Sequence, residues 1–360
     1  MKIVIIAGGK GERFWPFSRL KKPKQLLPIV SEKTMLEETI ERLEGLVDIK
    51  DIFISTRKEL VEPIKEVLKG FTDENFIAEP MPKDTAAAIG YAVTVINKKS
   101  PGSVVAILPA DHTIKEKEIF QQDLTIAANI AKDTGCLITF GIKPSRISTG
   151  YGYIEIGEII NDTYENPAYE VKCFKEKPDY PTAKMYVEKG NYVWNSGMFV
   201  WTTTSIFEAF EKYMPELFEG LMQIQDALDT EKEEDITREV FEKLPKISID
   251  YGIMEKADNV LCVKARYTWD DVGAWSALER IFKKDENGNV INSLWKGKET
   301  KNSIIVSDDA LIVTIGINNL IIVKSKNALV VMDKSKEQEI KKIVEEISKD
   351  EKLSKEFLVE

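Results

Sequence analysis

Residues 2–24 read KIVIIAGGKGERFWPFSRLKKPK, and the interpretation of this stretch decides the rest. Lys2 to Ile6 is an apolar run of strand length that stops at Ala7, and a glycine-rich segment follows at once. Gly8, Gly9 and Gly11 leave the backbone free to enter positive φ and to approach a ligand closely. Successive N–H groups in such a turn form a concave nest for phosphate oxygens. Lys10, Arg13, Arg19, Lys21, Lys22 and Lys24 stand here against one acid, Glu12, in a chain whose formal net charge is −10. So sharp a local reversal of sign points to a polyanionic ligand.

Two phosphate-binding patterns are excluded. A P-loop requires Lys after its last glycine, then Ser or Thr, with a helix starting there. Lys10 precedes Gly11, and Pro16, Pro23 and Pro28 forbid an early helix. A dinucleotide fingerprint requires a third glycine, where this chain has Phe14, and an acid closing the second strand, where IFIST runs into Arg57.

Outward from the loop, strand-like and helical runs alternate. Strands are predicted over 52–56, 75–78, 104–109 and 136–140, and helices over 34–46, 58–69, 84–98 and 116–132. Alternation of this kind implies βαβ crossovers and a mostly parallel sheet in a three-layer α/β domain, with ligands beyond the carboxyl ends of the strands. The loops after Ile6, Ala78 and Leu108 are therefore the first places to look. After the third strand, EPMPKDTAAAIG offers Asp84 or Thr85 as a helix cap with free first-turn amides. An ordinary capped helix and a face for a flat base both remain open there. After the fourth, LPADH ends an apolar strand in Asp111, a hard oxygen ligand of the kind magnesium takes beside substrate phosphates. His112, the one histidine of the chain, is read as a structural hydrogen-bonder.

The ordered series Gly-Gly-x-Gly-x-Arg, Pro16, Ser18-Arg19 and Pro23-Lys24-Gln25 resembles the signature of the sugar-nucleotide pyrophosphorylases. Within them, GGKGERFWPFSRLKKPKQ is similar to the mannose-1-phosphate guanylyltransferase family. The resemblance extends to about residue 275. It implies a Rossmann-like nucleotidyltransferase domain with a mostly parallel mixed sheet over 1–284. Residues 285–360 would be a small β-helix-like domain used in subunit contact, with a terminal helix. Gly8, Gly9, Lys10, Gly11 and Arg13 would bind the nucleoside triphosphate, Lys24 would meet phosphates, and Thr85 and Ala86 would lie beside guanine. From TGYGYI, FKEKP and YVWNSGMFVW, the resemblance assigns Gly152, Glu176, Lys177 and Asn195 to the sugar phosphate. For Glu176 and Lys177 taken alone, an exposed charged turn before Pro178 is the simpler reading. Within SIDYGIMEKAD, Asp250 and Glu255 are further sugar candidates, although Asp250 also suits a helix cap. YTWDDVGAW aligns Asp271 with the second magnesium ligand and Asp270 with a neighbour. The departures are Lys83, Asp84 and Ala87 in the guanine segment and SRIS at 145–148.

The implied reaction is transfer of GMP from GTP to α-D-mannose 1-phosphate, with Mg2+ as cofactor and GDP-mannose and pyrophosphate as products. The sugar phosphate is already anionic near neutral pH, so the scarcity of histidine is no obstacle. Two alternatives stay open: another base or hexose 1-phosphate, and a non-catalytic nucleotide-sugar-binding regulatory subunit. Retention of Arg13, Lys24, Asp111, Lys177 and Asp271 argues against the second.

Composition narrows the setting. The 360 residues suit one large domain and a smaller one. The acidic balance argues against a nucleic-acid partner. There is no apolar run long enough for a membrane span and no signal peptide, so a cytoplasmic protein is expected. Cys136, Cys173 and Cys262 are scattered, without CxxC spacing, and read as reduced, buried thiols. Residues 203–245 read as covering helices. After the polar KKDENGN, apolar runs at 304–306, 311–313, 320–323 and 328–332 read as short strands, followed by a helix over 336–349. The tail is too short for the isomerase module fused to some relatives, so a monofunctional homodimer is expected.

Overall fold

A computed structural model of the chain describes residues 1–359. Its elements run β1 (Lys2–Ile6), α1 (Met35–Glu41), β2 (Ile52–Arg57), α2 (Val61–Val67), β3 (Phe76–Glu79), α3 (Asp84–Lys99) and β4 (Val104–Pro109). Next come β5 (Thr113–Ile114), α4 (Lys117–Thr134), β6 (Leu137–Ile142), β7 (Tyr153–Asn161), β8 (Ala168–Lys175), α5 (Tyr180–Lys189) and β9 (Tyr192–Thr202). The middle of the chain holds α6 (Thr203–Tyr213), α7 (Pro215–Ala227), α8 (Glu233–Lys243), β10 (Val260–Lys264), β11 (Trp269–Asp270) and α9 (Leu278–Ile281). Last are β12 (Val290–Lys298), β13 (Ile304–Ile315), β14 (Leu320–Ser325), β15 (Ala328–Asp333), α10 (Ile340–Lys349) and the short α11 (Glu351–Ser354).

The chain forms two compact units that do not follow its order. One comprises Met1–Gly8, Glu41–Ala110 and Ile114–Trp269; the other joins Gly9–Ile40 and Asp111–Thr113 to the residues from Asp270 onward. The first unit holds a nine-stranded mixed sheet of order β3-β2-β1-β4-β9-β6-β10-β8-β7. β1 pairs in parallel with β2 and β4, and β2 with β3, so the carboxyl ends of four strands line up. β9 runs antiparallel between β4 and β6. Apolar residues fill both faces, as an interior parallel sheet requires. Val4, Val105 and Ile107 join one core with α3, α6, α7 and α8, while Ile3, Ile5, Ala106 and Leu108 point the other way and are equally buried. The helices over 203–245 provide that cover through Ile206, Phe210, Leu217, Leu221 and Phe241.

Helix ends depart from the sequence reading for local reasons. The helix predicted over 34–46 stops at Glu41, and Gly45 takes φ 86° in the turn that follows. The one predicted over 58–69 opens as a 3-10 turn at Lys58–Leu60 and becomes α-helical at Val61, which places Pro63 within the first turn, where a missing N–H costs nothing.

In the second unit, β12, β13, β14 and β15 form a separate four-stranded sheet in that order. β12, unforeseen because polar residues interrupt VINSLWKGK, pairs in parallel with β13 through a register shift between Asn292 and Leu294. That pairing also fuses the runs 304–306 and 311–313 into one strand. The polar KKDENGN is a built turn: Asp285 accepts from the amides of Asn287 and Asn289, and buried Asn289 bonds Thr300 O and the Ser303 amide. The terminal helix begins at Ile340, after a 3-10 turn over Lys334–Glu339. The signature loop belongs to this unit's core, where Phe14, Leu27 and Met35 pack with Val272, Trp275, Ile304 and Ile321. Of the cysteines, all free, only Cys262 is buried; Cys136 and Cys173 are partly exposed, so burial holds for one of the three. Among the described residues no helix is long and apolar enough to cross a membrane.

Candidate active site

The loop after β1 is a fixed structure. Gly11 takes φ 67° and starts a 3-10 turn, Glu12–Phe14, and the Phe14 ring lies 5.0 Å from Trp275. The chain then returns so closely that a Cβ on Gly11 would meet Lys24 Cβ at 2.5 Å and Lys24 N at 2.7 Å. Gly11 is thus required twice, by its φ and by this approach. Its consequence is the placement of Lys24, whose side chain is only 7% exposed. The Lys24 ammonium donates to Asp111 Oδ2 at 2.8 Å and to the Asp271 carbonyl at 2.7 Å. Arg13 Nη1 donates to Gly273 O at 2.9 Å, and its buried Nε has no partner.

These groups open on one cavity of about 430 Å3, lined by Lys10, Arg13, Lys24, Asp111, His112 and Asp271 together with Gly11, Glu12, Phe14, Gly273 and Lys341. Desolvation opposes ionisation of Asp111, but Lys24 and His112 outweigh it and hold its carboxyl below the usual carboxylate range. Asp111 is thus a carboxylate at neutral pH. Gly273 keeps space open at the second acid, since a Cβ there would lie 2.6 Å from Asp271 Oδ2. Asp270, next to Asp271, accepts from Arg280 Nη2 at 2.8 Å, from Arg280 Nε, and from the Val272 amide at 2.8 Å, and does not line this cavity. Two carboxylates on one cation-lined cavity match what magnesium takes from a protein when phosphates and waters supply its other oxygens. Among the described residues no group of three or more His, Cys, Asp or Glu side chains is arranged to hold a metal by itself.

In the first unit a second constellation forms. Gly152 accepts from the Asn195 amide at 2.9 Å, and a Cβ on Gly152 would collide with Glu176 Oε2. Glu176 is 9% exposed; its Oε1 takes Lys177 Nζ at 2.5 Å, while its buried Oε2 has no partner. Asn195 Nδ2 donates to Asp250 Oδ1 at 2.8 Å, and the Glu176 amide donates to Glu255 Oε1 at 3.0 Å. Burial and the Glu176 charge push the Asp250 carboxyl up to about 6, against the pull of Asn195 and Lys177. Lys177 has φ 45°, a conformation that costs a non-glycine residue about 1–3 kcal/mol and concentrates at functional sites. The charged-turn reading of Glu176 and Lys177 is therefore incomplete: this turn aims a buried, unpartnered carboxylate oxygen beside a bare glycine, a fitting acceptor for hydroxyl donors.

The nucleotidyl transferase family model matches residues 2–288, and the model of the mannose-phosphate isomerase/GMP-like β-helix domain matches 297–347. A mannose-1-phosphate guanylyltransferase from Klebsiella pneumoniae is 37% identical over 95% of this chain and 73% of that protein. The one from Escherichia coli K12 is 35% identical over 96% of this chain and 73% of its own length. A crystal structure of a Thermus thermophilus protein, described as a mannose-1-phosphate geranyltransferase, covers 96% of this chain and 99% of that one at 33% identity, with a TM-score of 0.87. The chain belongs to the mannose-1-phosphate guanylyltransferase family.

As a member of that family it is a nucleotidyltransferase, and its candidate residues fall into groups. Lys10, Gly11, Arg13, Lys24, Asp111 and Asp271 line one cavity, with Gly9 in the same unit; Gly152, Glu176, Lys177 and Asn195 form the other set. Asp250, read as sugar contact or cap, accepts from Asn195. The start of α3 departs from expectation, since two of its first-turn amides are bonded within the protein. Thr85 N–H goes to Asp84 Oδ1 at 2.7 Å and Ala86 N–H to Ile247 O at 3.2 Å, while Thr85 Oγ1 accepts from the Ile249 amide. His112, read as structural, lines the same cavity as Lys24 and Asp111. The sequence reading missed Glu79, the last residue of β3, which is buried with Oε1 3.7 Å from where a Gly8 Cβ would stand. Burial pushes its carboxyl up to about 7, with Arg57 opposing. Its signal was available: it directly follows Ala78, at the carboxyl end of a parallel strand. Arg146 was also passed over; its guanidinium lies 5.1 Å from the Trp194 ring centroid and donates to Tyr151 OH at 2.8 Å.

Proposed function

We propose that the chain transfers GMP from GTP to α-D-mannose 1-phosphate, giving GDP-mannose and pyrophosphate in the cytoplasm. The observation that carries this reading is the glycine-loop cavity, where Lys10, Arg13 and Lys24 face Asp111 and Asp271. The names of the relatives agree with it. The loop cations bind the polyphosphate, and Arg13, with a donor still unused, stabilises oxygens whose charge grows as pyrophosphate leaves. Glu176, Asn195 and Asp250 take the hexose hydroxyls, and Lys177 neutralises the phosphate that attacks. The nucleophile is already ionised, so no side chain must remove a proton. One bond forms between the sugar-phosphate oxygen and the α-phosphorus, and the bond to the leaving pyrophosphate oxygen breaks in line. Magnesium bound with the triphosphate, held by Asp111 and Asp271, would supply further charge compensation.

Guanine preference is assigned to Glu79. In its ionised form the Glu79 carboxylate accepts two parallel hydrogen bonds from guanine N1–H and the N2 amino group, a donor pair that adenine and the pyrimidines lack at that edge and that would itself favour ionisation. Its place beside Gly8 supports the assignment. The reverse reaction tests the proposal: incubation with GDP-mannose, pyrophosphate and magnesium should yield GTP by chromatography. Absence of GTP, with intact GDP-mannose recovered, would refute it.

A further inference from the structure

We infer that Lys341, on the C-terminal helix α10, contacts phosphate oxygens of the bound nucleotide, so that the terminal segment supplies part of the active site. The inference rests on the polyphosphate reading of the cavity and extends it to a residue outside the signature motifs. Lys341 is the one member of α10 that lines this cavity; every other lining residue comes from 10–14, Lys24, 111–112 or 271–273.

The helix is held against the loop. Ile340 and Val344, one turn apart, pack with Trp15, Ala328, Val330 and Leu358. Trp15 Nε1 donates to Phe357 O at 3.0 Å, buried Arg19 donates to the same carbonyl, and the Leu20 amide donates to Leu358 O at 2.7 Å. Ahead of the helix, Ser276 Oγ donates to Glu337 Oε1 at 2.7 Å and Lys334 pairs with Glu279 at 2.8 Å. Both ends of the segment are thus anchored to its own unit, and Lys341, next to inward-facing Ile340, is presented along the loop. Its long stem lets the ammonium reach the cavity while the helix remains at the surface.

Charge gives this placement its consequence. Arg13 and Lys24 are engaged by Gly273 O, Asp271 O and Asp111. Lys10, Arg13, Lys24 and Lys341 face Glu12, Asp111 and Asp271 around the cavity, a formal excess of one positive charge. Without Lys341 the balance is zero. Removing any one of the four cations would cancel that excess, and Lys341 is the one supplied from outside the signature loop. Lys342 is the natural control. Lys341 lines both this cavity and a neighbouring one of about 450 Å3, whereas Lys342 lines only the neighbouring one and pairs with Glu339 at 2.7 Å.

The test is calorimetric titration of the full chain with inorganic pyrophosphate, comparing wild type, Lys341→Gln, Lys341→Arg and Lys342→Gln. Loss of one charge-assisted phosphate contact predicts about tenfold weaker binding in Lys341→Gln. Lys341→Arg should recover most of it, Lys342→Gln should match wild type, and the deficit should shrink at high salt. In steady state, Lys341→Gln should raise KM for GTP and leave KM for mannose 1-phosphate unchanged. Equal pyrophosphate affinity in wild type and Lys341→Gln, or an equal loss in Lys342→Gln, overturns the inference alone. No pyrophosphate binding by the wild type overturns the polyphosphate reading of the cavity and the role of Lys341 with it.

Discussion

Replacing Gly11 by alanine should damage the protein far more than the same change two residues earlier. At Gly11 the new methyl would carry φ 67° and stand 2.5 Å from Lys24 Cβ, 2.7 Å from Lys24 N and 3.0 Å from Lys24 Cα. A left-handed alanine costs about 1–2 kcal/mol. Two of the three close atoms are backbone, which has little room to yield, and overpacking of this kind adds about 1–3 kcal/mol. The sum is about 2–5 kcal/mol, delivered to the residue that holds Asp111 and Asp271. At Gly9 an added Cβ meets nothing within 4 Å and φ is not positive, so Gly9→Ala should leave stability within about 0.5 kcal/mol of wild type. Urea denaturation followed by tryptophan fluorescence reports both units, because Trp15 and Trp275 lie in the cores of the signature unit and Trp194 and Trp201 are buried in the other. The expected result is a clearly lower midpoint for Gly11→Ala alone, with turnover reduced beyond the fraction unfolded because Lys24 is displaced. Gly9→Ala should fold normally and, if the loop holds the triphosphate as proposed, bind GTP more weakly. A wild-type midpoint for Gly11→Ala, or equal losses in the two variants, would refute the reasoning.

Asp111→Asn and Asp271→Asn should each lower turnover by more than about 100-fold, the scale of losing one preorganised electrostatic group, while circular dichroism shows a folded chain. Asp111→Asn should also lower the thermal midpoint, because it leaves the nearly buried Lys24 ammonium without its carboxylate. Near-normal magnesium-dependent rates in either variant would remove that aspartate from the site. Asp250 makes a pH prediction. Its carboxyl rises from 3.8 to about 6 on folding, so the folded state favours the protonated form, and its contribution to stability declines as pH rises from 3.8 through 6. Two units correspond to about 3 kcal/mol, an upper bound for a group that keeps some contact with water. Asp250→Asn, neutral throughout and still able to accept from Asn195, should therefore be more stable than wild type at pH 7.5 and equal to it near pH 4. An Asp250→Asn advantage that does not grow between those pH values would contradict the burial argument.

What sequence made legible was local. KIVIIAGGKGER shows strand, turn and charge in consecutive residues, and the alternation from residue 34 to about 140 shows the parallel half of the sheet. What it hid was produced by distance. Lys24 and Asp111 are 87 residues apart and Asn195 and Asp250 are 55 apart, and no periodicity announces either pair. The burial of Phe14 against Trp275 draws the signature loop into the core of the C-terminal sheet, so the compact units cut across chain order. β12 escaped detection because one of its sides faces water and its partner lies beyond a bulge. Asp270 and Asp271 are adjacent in sequence and look equivalent; in the fold Asp270 accepts from Arg280, ten residues on, while Asp271 lines the cavity.

The central claim is tested most directly by measuring pyrophosphate release over a matrix of nucleoside triphosphates and hexose 1-phosphates, with magnesium and with EDTA. A single maximum at GTP with mannose 1-phosphate, abolished by EDTA, is the predicted result. A maximum at another pair would contradict the assignment of base or sugar while preserving the nucleotidyl transfer, and no release from any pair would contradict the catalytic account altogether.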